Sequence, residues 1–138
     1  MIWLIAEDEA DILNLLTMVI TVWGYTPLAF ESGQKAWDWL DTVESGAYTG
    51  PLPDFALMDI RMPGKKGNEV SRRIRSVNSL KHIPVALMTA FSLDEADRLE
   101  MQTADGVDAI ISKPLPGFDD LHIILKNVIQ EKQSAKSE

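Results

Sequence analysis

Short blocks of consecutive apolar residues alternate along the chain with longer stretches in which apolar positions recur every three or four residues. The first block, "IWLIA" at 2–6, is continuous, as in a strand buried on both faces. From Glu9 to about Trp23 the period changes. Ile12, Leu15, Leu16, Val19, Ile20 and Trp23 fall at helical spacing, and Gly24 supplies the stop. "TPLAF" at 26–30 predicts a second strand, and its Pro27 favours an edge. Ser32 predicts the cap of a helix over 33–43, and 45–53 reads as a loop. "DFALMD" at 54–59 is a third strand, followed by a helix over 68–77. "IPVALMTA" at 83–90 is a fourth strand, 94–104 a polar helix, and "GVDAIIS" at 106–112 a fifth strand. The last helix is expected over 119–131, with Leu121, Ile124, Leu125, Val128 and Ile129 as its apolar stripe. The pattern thus delimits one domain over 1–131 and leaves 132–138 as a frayed tail or the start of a linker.

Strands alternating with helices five times predict an α/β fold, a parallel sheet covered by helices on both faces. In such sheets sites form at the carboxyl ends of the strands, near the switch point of the strand order. The residues at those ends are polar in every case but the second strand. Glu7 and Asp8 follow the first strand, Asp59 ends the third, Thr89 the fourth, and Lys113 follows the fifth. Ending a buried strand on an acid is costly unless the charge is paired. Clustered carboxylates repel, and a hard divalent cation with oxygen ligands relieves that repulsion. Lys113 adds a mobile point charge and Thr89 a hydroxyl. Together they suit phosphoryl transfer to a carboxylate.

Composition narrows the field. The 138 residues include no cysteine, so disulfides, thiolate catalysis and Cys-based zinc sites are excluded. His82 and His122 lie far apart and form no ligand motif. No apolar run approaches the ~20 residues of a membrane span. "MIWLIAEDE" reaches acids too early for a signal peptide, so a cytoplasmic location is expected. A net charge of -8 argues against direct nucleic-acid binding and is compatible with a divalent cation.

The motifs "LIAEDE", "LMDIRMPG", "VALMTA" and "IISKP", in that order at strand ends, identify a resemblance. From residue 2 to about 131 the chain resembles a receiver domain of the two-component response regulators, the family of the bacterial chemotaxis regulator. The resemblance implies a flavodoxin-like doubly wound (βα)5 sandwich with strand order 2-1-3-4-5. It implies that Asp59 accepts a phosphoryl group from a sensor histidine kinase or phosphotransfer protein. Glu7, Asp8 and Asp59, with the backbone carbonyl of Arg61, would hold Mg2+ or Mn2+. Thr89 would be the switch hydroxyl and Lys113 the phosphate-pairing lysine, with its bond to Pro114 often cis. The face of the fourth helix, fifth strand and last helix would change its affinity for a downstream effector or output domain, and would allow a homodimer. Autophosphorylation and slow dephosphorylation of Asp59 would be the only catalysis. Two positions depart from the common pattern: the acidic pair is Glu-Asp, and Ile110 stands three before the lysine, where an aromatic residue is frequent. Arg61 and Phe91, each two residues past a strand-tip residue, are expected to flank the reactive oxygen and restrict attacking water.

Two other readings stay open on sequence alone. One is a degenerate receiver serving as an interaction module. The other is a Mg2+-dependent phosphohydrolase of the haloacid dehalogenase kind, which usually carries a second acid where this chain has Arg61. No output domain fits within 132–138, so the domain is expected either to stand alone or to belong to a longer protein. Gly64 and Gly67 read as backbone-conformation residues, since "PGKKG" lacks a P-loop pattern. Trp37 and Trp39 cannot both face the core from one helix, His82 reads as a loop residue, and His122 as a surface residue.

Overall fold

A computed structural model describes residues 1–137. Five parallel strands form one sheet in the order β2-β1-β3-β4-β5. The strands are β1 (Ile2–Ala6), β2 (Thr26–Phe30), β3 (Phe55–Asp59), β4 (Val85–Thr89) and β5 (Ala109–Ser112). The helices between and after them are α1 (Ala10–Val22), α2 (Gly33–Ser45), α3 (Gly67–Ser76), α4 (Glu95–Thr103) and α5 (Phe118–Ser137). This is the flavodoxin-like doubly wound fold expected from the sequence, with β2 at an edge as Pro27 suggested.

The sheet separates two cores, and side-chain alternation decides which residue enters which. Leu4, Ala6, Ala56, Met58, Val85 and Leu87 face α2 and α3, which return Ala36, Leu40, Val70 and Ile74. Trp3, Ile5, Phe55, Leu57, Ala86, Met88 and Ile111 face α1 and α5, which return Leu16, Ile20, Leu121, Leu125 and Ile129. β3 and β4 are buried at every position, which explains why their sequences show no polar alternation. α4 differs from the other helices, since none of its residues is buried.

Local signals operate as their chemistry predicts. Ser32 Oγ accepts the Lys35 N–H at 3.1 Å and caps α2. Asp94 caps α4 through the Asp97 N–H at 2.7 Å. Trp39 packs between Phe30 and Tyr48, while Trp37 lies under the Lys65 ammonium, 4.4 Å from the ring centre. Both tryptophans are half-buried.

Three expectations about helix faces and ends need correction. Leu15 and Ile124 fit the helical period yet are exposed, whereas Leu16 and Ile20 of α1 and Leu121, Leu125 and Ile129 of α5 enter the core, with Ile12, Trp23 and Val128 packed at its margin. α5 continues through Ser137 rather than ending near Glu131, and Lys132 on this extra length reaches the Asp108 carboxylate at 3.0 Å. Glu138 lies outside the described residues. His122 is half-buried, not a surface residue. Its Nε2 lies 2.8 Å from the Tyr25 hydroxyl, and its ring stacks on Trp23 at 4.3 Å.

Burial holds His122 below the ordinary imidazole pKa; Lys126 acts in the same direction and Asp119 against it. The unfolded chain therefore takes up the proton first as pH falls. The stabilisation from neutral His122 is complete above about pH 6.5 and is lost as pH drops through the lower folded-state value. In denaturant titrations, wild type should lose more stability between neutral and mildly acidic pH than His122→Gln. Equal losses in the two proteins would contradict this assignment.

Candidate phosphoacceptor site

The strand order reverses at β1, whose neighbours are β2 and β3, so a crevice opens at the carboxyl ends of β1 and β3. The sequence-derived residues meet there. Glu7, directly after β1, is completely buried, whereas Asp8 beside it is exposed. Asp59, the last residue of β3, is buried with only a small opening to solvent. Carboxylate oxygens of Glu7, Asp8 and Asp59 lie within 4.8 Å of one another.

Lys113 crosses from the end of β5 to join them. Its Nζ donates to Glu7 Oε1 at 2.7 Å and to Asp59 Oδ2 at 3.3 Å. The other Asp59 oxygen, Oδ1, accepts the Ile60 N–H at 2.9 Å. The Asp59 carboxylate is thus oriented from two sides. The Lys113–Pro114 peptide bond is cis, as the resemblance implied.

The chain after Asp59 is shaped by close backbone packing. A Cβ on Gly67 would stand 2.1 Å from the Asp59 carbonyl oxygen, and the Gly67 N–H donates to the Ile60 carbonyl at 2.8 Å. α3 therefore starts directly against the backbone of the acidic residue. Gly64 turns the loop at φ +79°, a conformation that glycine adopts without Cβ strain. Both glycines serve the backbone.

Charge in this crevice is unbalanced. Burial pushes the Glu7 carboxyl up to about 7, with the Lys113 hydrogen bond pulling it down and the neighbouring Asp59 pushing it up further. Burial acts to lower the Lys113 pKa, but its bond to Glu7 and the charge of Asp59 outweigh that and raise it. Glu7 Oε2 is buried without a hydrogen-bond partner. An orphaned, buried carboxylate oxygen among three clustered acids is the donor set that a hard divalent cation requires. With a chelator present, Lys113→Met should lose roughly 3 kcal/mol of stability, because Glu7 and Asp59 then lack a cation. Mg2+ should return more stability to the variant than to wild type. Thermal melts with EDTA and with Mg2+ test both expectations, and an equal Mg2+ effect on the two proteins would count against a shared site.

Thr89, at the end of β4, is buried, and its hydroxyl is engaged locally. Oγ1 accepts the Phe91 N–H at 3.0 Å and donates to the Phe91 carbonyl at 3.3 Å. Arg61 is exposed in the loop after β3, and its guanidinium carbon sits 3.7 Å from the Phe91 ring centre. The two residues expected to flank the acceptor therefore stack on each other. Sequence pattern did not reveal that contact, nor the Ile60 N–H on Asp59 Oδ1. Cation–π pairing between two loops leaves no periodic trace, and every residue has an amide.

Residues 3–126 match the response regulator receiver domain. The chain belongs to this family. The receiver is 33% identical over 112 residues to the polar-differentiation response regulator DivK of Brucella ovis, covering 81% of this chain and 83% of that one. Its fold matches a CheY-like response regulator receiver domain protein from Methanospirillum hungatei, with a TM-score of 0.76, 21% identity and 97% of both chains covered. It also matches the receiver domain of sensor histidine kinase PA1611 from Pseudomonas aeruginosa, with a TM-score of 0.73, 24% identity, and 94% and 97% of the two chains covered. That structure is described with a magnesium ion coordinated in its active-site cleft. As a family, receiver domains are signalling proteins of two-component systems rather than enzymes. Among the described residues of this receiver, no helix is long and apolar enough to cross a membrane.

Proposed function

We propose that this receiver accepts a phosphoryl group on Asp59 from a phosphohistidine of a sensor kinase or phosphotransfer protein. The observation that carries this is the Asp59 carboxylate itself: held at a strand tip by Ile60 and Lys113, beside two further acids, yet still open to solvent. In the transfer, an Asp59 oxygen attacks phosphorus in line. The O–P bond forms, the P–N bond breaks, and the imidazole nitrogen leaves with the bonding pair. Glu7, Asp8, Asp59 and the Arg61 carbonyl would hold Mg2+ or Mn2+, which when bound offsets charge on the transferred oxygens. Lys113 moves its charge from Asp59 to the phosphoryl group, and the Thr89 hydroxyl turns to donate to it.

Phosphorylation then shifts the domain between two states, changing the affinity of the α4-β5-α5 face for a downstream effector or output domain. The absence of any buried residue in α4 makes that helix the one most easily displaced. A homodimer through the same face is compatible with this. The setting is cytoplasmic, without direct contact to nucleic acid or membrane.

Incubation with Mg2+ and acetyl phosphate, followed by intact-mass measurement, tests the proposal. The expected product is a single alkali-labile adduct. Repeated turnover of phosphomonoesters would instead indicate a phosphohydrolase, and no adduct an interaction module.

A further inference from the structure

Phe91 stands out as a large apolar side chain left 47% exposed, although a cleft opens beside it. The cleft, about 240 Å3, is bounded by Thr89, Leu93, Arg98, Ser112 and Lys113, and Phe91 sits on its rim. Phe91 is tied to its present place by two kinds of contact only among those described: the paired hydrogen bonds of its backbone with Thr89 Oγ1, and the stacking of its ring on Arg61. No regular secondary structure holds residues 90–94.

The geometry points to Phe91 as the residue that reports the state of Asp59: when Thr89 turns to a phosphoryl group, the Phe91 ring leaves Arg61 and enters the cleft beside β5. This rests on the proposed role of Asp59. The Thr89 hydroxyl has one proton to donate, and the Phe91 carbonyl now receives it. Redirecting that proton to a phosphoryl oxygen releases the backbone of residue 91. A phosphoryl group two residues before Arg61 also competes for the guanidinium, and a charge-assisted hydrogen bond is stronger than an exposed cation–π contact. Both tethers thus loosen in the same event. Burial of the freed ring in the adjacent cleft is then favourable. Ile110 on β5 is aliphatic, half-buried and packed against the core, so the exposed aromatic ring beside this cleft is that of Phe91 in the β4–α4 loop. The ring leaves the mouth of the crevice on this account, and the shielding expected of Phe91 falls to Arg61 alone.

The full chain labelled with 4-fluorophenylalanine carries four reporters, because the sequence holds four Phe. Loss of one 19F resonance in Phe91→Leu assigns Phe91. Before phosphorylation that resonance should shift between H2O and D2O, as an exposed ring does. After Mg2+ and acetyl phosphate, in protein whose mass shows one phosphoryl group, the solvent isotope shift should fall several-fold. In Thr89→Val at equal phosphoryl content it should persist. A phosphorylated wild-type chain that keeps the full isotope shift overturns the proposal while leaving Asp59 as acceptor. A Thr89→Val chain that behaves like wild type removes the hydroxyl from the coupling and overturns it too. If no phosphoryl group is taken up, the acceptor role fails and this proposal falls with it.

Discussion

Asp59→Asn should take up no phosphoryl group from acetyl phosphate, a loss of at least ~100-fold in adduct formation, since the amide is not a competent nucleophile. The same substitution should stabilise the fold by about 1 kcal/mol in the presence of a chelator. Three acids share this crevice, and Lys113 is the only cation bonded to them among the described residues. Replacing one carboxylate by an amide keeps the shape and the Ile60 hydrogen bond while removing one of the repelling charges. Mg2+ should reverse the order, because the variant offers the cation a weaker donor set. Intact mass reads the first effect, and thermal melts with EDTA and Mg2+ read the second. An Asp59→Asn protein that still gains the adduct would place the acceptor elsewhere. One that melts below wild type in EDTA would show that Asp59 is structurally paired rather than electrostatically strained.

Gly67→Ala should be among the most damaging single-methyl changes in the molecule, costing about 3 kcal/mol. The added Cβ would meet the Asp59 carbonyl oxygen at 2.1 Å, its carbon at 2.9 Å and Ile60 Cα at 3.2 Å. All three are backbone atoms, so no side chain can yield by changing rotamer. The first turn of α3 must retreat, stretching the Gly67 N–H bond to the Ile60 carbonyl and shifting the residue that holds Asp59 Oδ1. Phosphorylation should therefore slow at temperatures where the variant is still folded, because attack depends on orientation. Gly117→Ala is the control, since a Cβ there meets nothing within 4 Å. Chemical denaturation compares stabilities, and adduct formation followed by mass compares sites. Wild-type behaviour of Gly67→Ala in both would show that the close packing of α3 on β3 is dispensable.

Much of the fold was legible because its physics is local and repetitive. A strand buried on both faces must be apolar throughout, as Phe55–Met58 and Val85–Met88 are, and a helix on a sheet must repeat its contacts every turn. Departures came where one turn more or less carries little periodic signal. The length of α5 and the exposure of Leu15 and Ile124 depend on how far a neighbouring surface extends.

The site divides along the same line. By itself the sequence determined which residues stand at the strand tips: Glu7, Asp8, Asp59, Thr89 and Lys113. Parallel strands end on one edge, so an ordered list of strand ends is already a list of neighbours. Only the tertiary structure decided how those neighbours share charge and hydrogen bonds. Lys113 lies closer to Glu7 than to Asp59, and the Thr89 hydroxyl is occupied by Phe91. Arg61 stacks on a ring from the next loop, and Gly67 lies against the backbone of Asp59. These outcomes are set by small differences in distance between segments remote in sequence, such as 2.7 Å against 3.3 Å from Lys113 to the two acids. Such distances follow from the packing of the whole domain, and no spacing of residues along the chain encodes them.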